Sequence, residues 1–209
     1  MGEPVTAYVR SVNVGTAQDL PGAKGIPSGI AKVPAESIDV RDPGAKRDGL
    51  GSGVVGDFIG DRRHHGGDAQ AVYAVAREEL DHWAAELGRP LPDGMFGENL
   101  TTEAIDVDAA LIGEEWVVGR AVLRVTGPRA PCSTFTAHMG VKGWGKRFVA
   151  RGRTGAYLAV VEPGTIRRGD RVVVRSRPDH DVTVPVSLRA WYGDEDARDR
   201  MRALGLGWT

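Results

Sequence analysis

Val5 to Val14 is rich in β-branched and aromatic residues and stops at Gly15, which predicts a first strand. Gly29 to Val40 reads as one or two short strands broken by Pro34. Ala71 to Ala76 is a short continuous apolar run, the pattern of a buried strand. A helix follows it. Leu80, Trp83, Ala84 and Leu87 fall at i, i+3, i+4 and i+7 and form one apolar stripe. Glu78, Glu79 and Asp81 load its first turns with negative charge, and Gly88 and Pro90 end it. Trp116 to Thr126 alternates as a bent strand or hairpin. Gly155 to Val161 and Arg171 to Arg175 read as strands, separated by the turn residues Glu162-Pro163-Gly164 and Gly169-Asp170. Val182 to Leu188 alternates again, and Pro185 places it at an edge. Asp194 to Leu204 reads as a closing helix with Ala197, Met201 and Leu204 on its apolar face. Seven or more short strands with two helices predict a mostly β fold: a curved or closed β-barrel with a few peripheral helices.

Composition narrows the class. The chain has 209 residues, formal net charge -1, 29 glycines and one cysteine. It suits one domain or one domain with a small appendage. The charge balance gives no signal for nucleic acid. The start lacks a secretory pattern, and no apolar run reaches membrane-spanning length, so a soluble cytoplasmic protein that binds no membrane is expected. Two segments read as loops: Ala17 to Gly29, with Lys24 and Ser28, and Asp42 to Gly53, where five of twelve residues are glycine or proline.

Four segments carry candidate chemistry. The single cysteine lies in Gly127-Pro128-Arg129-Ala130-Pro131-Cys132. Two prolines stiffen the approach, and Arg129 is a cation that favours thiolate. A lone cysteine is usually a small buried hydrophobe; on a stiff loop beside a cation it also reads as a ligand or nucleophile. The second segment runs from Gly56-Asp57 through Gly60-Asp61 to His64-His65-Gly66-Gly67. Paired glycines let backbone approach a ligand and offer N–H groups to an anion. Taken alone, the segment reads better as a turn with solvated histidines. The third is Gly94-Met95-Phe96-Gly97-Glu98-Asn99-Leu100-Thr101, where Glu98 and Asn99 could recognise a heterocycle. The fourth, Lys142 to Arg153, holds Arg147, Arg151 and Arg153 in a stretch without acids from Met139 to Val161. It is either a solvated face or an anion site, and its glycines suggest a mobile lid. Zinc spacing, dinucleotide fingerprint, P-loop and serine-hydrolase elbow are absent. A Cys–His pair stays open, with His64, His65 or His138 as partner.

In this order, His-His-Gly-Gly, Ala71-Val72-Tyr73-Ala74, Phe96-Gly97-Glu98-Asn99-Leu100-Thr101, Pro128-Arg129-Ala130-Pro131-Cys132, Gly152-Arg153-Thr154-Gly155-Ala156-Tyr157 and Gly164-Thr165-Ile166-Arg167-Arg168-Gly169-Asp170 resemble the MOSC family. The family is named for the C-terminal domain of molybdenum cofactor sulfurase, and the likeness is to its stand-alone bacterial branch similar to YiiM. The resemblance implies a MOSC-type β-barrel over residues 1–178 and a C-terminal extension over 179–209, a remnant of the branch's three-helix appendage. It implies that Cys132 is the catalytic thiolate and the ligand of molybdenum in a pterin cofactor. His64, His65, Gly66, Gly67, Glu98, Asn99, Arg129, Arg147, Arg151 and Arg153 would bind that cofactor.

The implied activity is reduction of N-hydroxylated or N-oxygenated small molecules, with electrons from a separate donor protein. Two alternatives share the cysteine: a sulfur carrier or sulfurtransferase working through a Cys132 persulfide, and a non-catalytic cofactor carrier. Pyridoxal phosphate is not expected, because none of the five lysines sits in a Schiff-base context. One departure from the family pattern stands out. Relatives place a small residue and then aspartate after His-His-Gly-Gly; here Asp68 comes at once and Ala69 fills the aspartate position.

Overall fold

The computed structural model describes residues 6–20 and 25–207; Val5 and Lys24 lie outside them. The described residues form ten strands and five helices. The order is β1 (Tyr8–Gly15), β2 (Lys32–Ala35), β3 (Ser37–Val40), β4 (Val72–Ala76), α1 (Arg77–Leu87) and β5 (Leu100–Glu103). It continues with β6 (Glu115–Val118), β7 (Ala121–Pro128), α2 (Ser133–Met139), α3 (Trp144–Arg151) and β8 (Ala156–Glu162). The chain closes with β9 (Gly164–Arg167), β10 (Val172–Ser176), α4 (Val184–Trp191) and α5 (Glu195–Ala203).

Eight strands make one mixed sheet in the order β10-β6-β7-β8-β4-β5-β1-β2, and β3 pairs with β9 separately. Only β4 and β5 run parallel in it. Pro34 is tolerated within β2 because that strand lies at the sheet's edge. The sheet curls until β1, next to the edge strand β2, meets the start of the opposite edge strand, β10. Val9 N–H donates to Asp170 O at 2.8 Å, and Val172 N–H donates to Ala7 O at 2.9 Å. The expected barrel is therefore reached only in part: β1 and β10 meet at a bridge, Tyr8 to Arg171, and form no strand ladder that closes the sheet.

β4 explains why its sequence is a continuous apolar run. Val72, Ala74 and Ala76 face the core inside the sheet, while Tyr73 and Val75 face a second core under the helices. That second core is aromatic. Trp83 of α1, Phe135 of α2 and Trp144 and Phe148 of α3 pack with Phe96, with Trp83 and Trp144 centroids 4.7 Å apart. Such edge-to-face packing adds to the area these rings bury.

Two expectations are corrected here. Val182 to Leu188 contributes to a helix, α4, rather than an edge strand. Val184 and Leu188 satisfy period 2 and the i,i+4 helical spacing equally. Pro185 sits in the helix's first turn, where a missing N–H costs nothing. The segment 142–153 is no mobile lid. Trp144 and Phe148 are fully buried, and Gly143 and Gly152 are left-handed caps at the two ends of α3. At the C-terminal end, Val184, Ala190, Ala197 and Met201 join the core inside the sheet.

Candidate functional site

Strand β7 ends at Pro128, and the rigid Arg129-Ala130-Pro131 link delivers Cys132 to the N-cap of α2. There the sulfur accepts a hydrogen bond from Phe135 N–H at 3.4 Å. Burial raises the thiol's pKa, but the hydrogen-bonding His65 ring, the Arg129 charge and the Phe135 N–H outweigh it. The net result is a thiol lowered to about 6.

Arg129 owes its place to the sheet. The register sets Tyr73, Tyr157 and Gly127 side by side across β4, β8 and β7, and the chain then turns Arg129 over that face. Its guanidinium lies 4.9 Å from the Tyr73 ring centroid and 4.8 Å from that of Phe135. Its Nη1 donates to the Tyr157 hydroxyl at 3.3 Å. The residue is only 7% exposed, and its Nε has no hydrogen-bond partner.

A second charged group was not singled out in the sequence. The Lys32 ammonium forms an ion pair with Asp57, both side chains almost fully buried. Burial lowers the Lys32 pKa against the pull of Asp57. Asp57 also accepts from Gly15 N–H at 2.8 Å, Ser52 Oγ at 2.8 Å and Asn99 Nδ2 at 3.1 Å. One carboxylate thus ties four residues, Gly15, Lys32, Ser52 and Asn99, to one point. Its signal was the repeated Gly-Asp step before the histidines; Lys32, within an ordinary strand pattern, had none.

These groups line two adjoining cavities. A chamber of about 150 Å³ is lined by Lys32, Asp57, His65, Gly66, Asn99, Arg129 and Cys132, among others. A cleft of about 690 Å³ shares Cys132, His65 and Tyr157 with it and adds Lys46, Arg63 and His64. Of the residues expected to converge with Cys132, His65, Asn99 and Arg129 share one cavity with it, and Glu98 does not line it. His65 faces both spaces. His64 lines the cleft only, with its Nδ1 held 2.8 Å from Asp61. Asp68 lines neither cavity, so it does not stand in for the family's aspartate; Ala69 faces the cleft in that position.

The other expected residues do different work. Glu98 is fully buried beside the chamber and does not line it. Its carboxylate accepts from Gly94 N–H at 2.6 Å, Phe96 N–H at 2.9 Å and Thr101 Oγ1 at 2.9 Å, bracing its own loop. Gly66 and Gly67 both have φ +81, and a Cβ at Gly66 would meet Gly51 O at 2.6 Å. The Gly67 N–H donates to Gly51 O at 2.9 Å, so it is spent on joining two loops rather than offered to an anion. Arg147, Arg151 and Arg153 line neither cavity. Arg151 grips Glu79 through two hydrogen bonds of 3.1 and 3.0 Å, and Arg153 pairs with Glu79 and Asp106. Arg147 covers Trp83 with its centroid 5.6 Å away and lies 3.7 Å from Glu86. The acids missing from that stretch come from α1 and from Asp106. His138 lines neither cavity. Among the described residues, no group of three or more His, Cys, Asp or Glu could hold a metal ion, and no helix is long and apolar enough to cross a membrane.

A family model described as MOSC domain matches residues 61–173, more than half of the chain. The chain belongs to the MOSC domain family. Within that family it is similar to YflK of Bacillus subtilis (strain 168), an uncharacterized protein, at 32% identity over 187 residues, covering 89% of this chain and 81% of the relative. It is 27% identical to YiiM of Escherichia coli (strain K12) over 211 residues, covering 97% and 89%. A protein named reductase from Gibberella moniliformis is 33% identical over 132 residues, which is 61% of this chain and 23% of that protein. In fold, this MOSC chain resembles the crystal structure of YiiM from Geobacillus stearothermophilus, with TM-score 0.74 and 24% identity over 95% of this chain and 90% of that one.

Proposed function

We propose that this MOSC protein binds a molybdenum cofactor of the pterin type, with the Cys132 thiolate as metal ligand, and reduces N-hydroxylated or N-oxygenated small molecules. The observation that carries the reading is Cys132 itself: a thiol lowered to about 6, at a wall shared by two cavities, next to a buried arginine. Molybdenum suits a soft thiolate ligand. The polar lining fits a heteroatom-rich group as well. Arg129 Nε is a buried donor and Gln70 Oε1 a buried acceptor, both without partners, and both residues line the chamber. Orphaned buried groups of this kind are costly unless a ligand completes them.

When bound, the cofactor supplies the two-electron redox chemistry, and a separate protein supplies the electrons. The chain's own residues do the rest. His65 and Arg129 keep Cys132 anionic at neutral pH. Tyr73 and Phe135 hold the guanidinium in place through their ring faces. The Lys32–Asp57 pair fixes the floor of the chamber by tying Gly15, Ser52 and Asn99 to one point. Lys46 and Arg63, at the cleft, stand where an anionic tail would be neutralised. The relative from Gibberella moniliformis that is named a reductase supports the reductive direction.

A second reading keeps the same thiolate without the metal, as a persulfide carrier, and the preformed low-pKa cysteine favours it equally. Activity separates the two. Protein from a cofactor-producing host, supplied with a chemically reduced viologen, should convert an N-hydroxylated amine to the amine, and Cys132→Ser should not. A molybdenum-free parent that carries a persulfide on Cys132 would establish the sulfur-carrier reading instead.

A further inference from the structure

Two large aromatic side chains stand at the cleft without any part in the chemistry above. Trp191 ends α4 and Tyr192 follows it; both line the larger cleft, and they are 52% and 51% exposed. They lie beyond residues 61–173, the part of the chain that the family model matches. Their placement is fixed. Val184, Leu188 and Ala190 are buried, and Tyr192 N–H donates to Leu188 O at 3.1 Å and to Arg189 O at 3.0 Å. The two rings therefore stand on an anchored helix end rather than a loose tail. The same cleft is lined by Pro128, Ala130 and Pro131, whose side chains are flat or small and apolar. Cys132 and His65 are among the polar residues it shares with the chamber, together with Asp61, Gln70 and Tyr157.

We infer that Trp191 and Tyr192 form the ring-binding wall of the cleft and select planar aromatic substrates over aliphatic ones with the same functional group. The inference rests on Cys132 marking the reacting centre. A flat ring laid against this wall gains stacking that a puckered ring does not. The alternative occupant is the ring system of the cofactor. The wall suits the substrate better, because the orphaned donor Arg129 Nε belongs to a residue that lines the chamber alone, which neither Trp191 nor Tyr192 lines, while Gln70, whose Oε1 is the orphaned acceptor, lines both spaces.

The test uses the single cysteine as a reporter in cofactor-free protein. Benzamide and cyclohexanecarboxamide carry the same polar group on a flat and a puckered ring, and each is tested for slowing alkylation of Cys132 by iodoacetamide. Benzamide should protect, and cyclohexanecarboxamide should protect several-fold less. Trp191→Ala and Tyr192→Ala should each raise the benzamide concentration needed by about two- to tenfold, without moving the pH midpoint of alkylation. No protection by benzamide, equal protection by the two amides, or unchanged protection in both variants would overturn the inference. Molybdenum per chain is measured in the same variants made in a cofactor-producing host. Retention equal to the parent is expected; loss of molybdenum would assign the wall to the cofactor and overturn the substrate reading. A parent without molybdenum would defeat the proposed cofactor alone, and the amide comparison would still decide the wall.

Discussion

Arg129→Met removes the cation beside Cys132 and keeps an unbranched apolar stem against Tyr73 and Phe135. In the parent the thiol titrates at about 6. An opposite charge at this range shifts a titrating group by roughly 1–3 pH units, so the variant's thiol should titrate near about 7 or higher. A rate read at one pH would mislead. Losing thiolate slows alkylation in mildly acidic buffer, yet each unit of added basicity makes the remaining thiolate about 2.5-fold more nucleophilic. The two effects nearly cancel just above the parent's midpoint. The readout is therefore the midpoint of the full alkylation-rate profile against pH, which the single cysteine reports without background. It should move up by at least about one unit, while the alkaline plateau rises about 2.5-fold or more. A midpoint that stays at the parent's value in a folded variant would refute the claim that Arg129 holds the thiolate.

Other outcomes follow from the same geometry. Lys32→Met leaves Asp57 buried without its partner and should cost about 3–5 kcal/mol in urea unfolding, partly recovered by adding Asp57→Asn. Burial raises Glu98 from 4.5 to about 7. The stability tied to its protonated form is thus full below the unfolded value and is lost as pH rises through about 7. Glu98→Gln should remove that slope, worth at most about 3 kcal/mol, from urea midpoints compared at acid and alkaline pH. Gly66→Ala forces a Cβ into Gly51 O at φ +81 and should destabilise the fold by about 1–3 kcal/mol in the same assay. Arg153→Met should cost about 1.5–3 kcal/mol by breaking its bonds to Glu79 and Asp106, yet leave cofactor retention as in the parent.

Much of this was legible in the chain wherever one residue's surroundings are local. The β4 run and the α1 stripe translate directly into a strand buried on both faces and a helix buried on one. Glycines misled the reading of 140–152 because a left-handed cap and a flexible loop look alike in sequence. Gly140, Gly143 and Gly152 bound α2 and α3, whose buried rings were the better signal. The site divided along the same line. Cys132 and Arg129 are adjacent on one stiff loop and were found. The basic run was misread because its partners are remote: Glu79 and Asp106 lie 74 and 47 residues from Arg153 along the chain, and Arg147 pairs with Glu86 of α1. Lys32 escaped notice because only the fold brings Asp57 to it. Trp191 and Tyr192 escaped because α4 read as a strand.

The most direct test of the central claim is molybdenum per chain in protein purified from a cofactor-producing host, compared between the parent and Cys132→Ser at matched folding. The account predicts close to one molybdenum per parent chain and nearly none in the variant. Equal molybdenum in both would show that the Cys132 thiolate does not hold the metal.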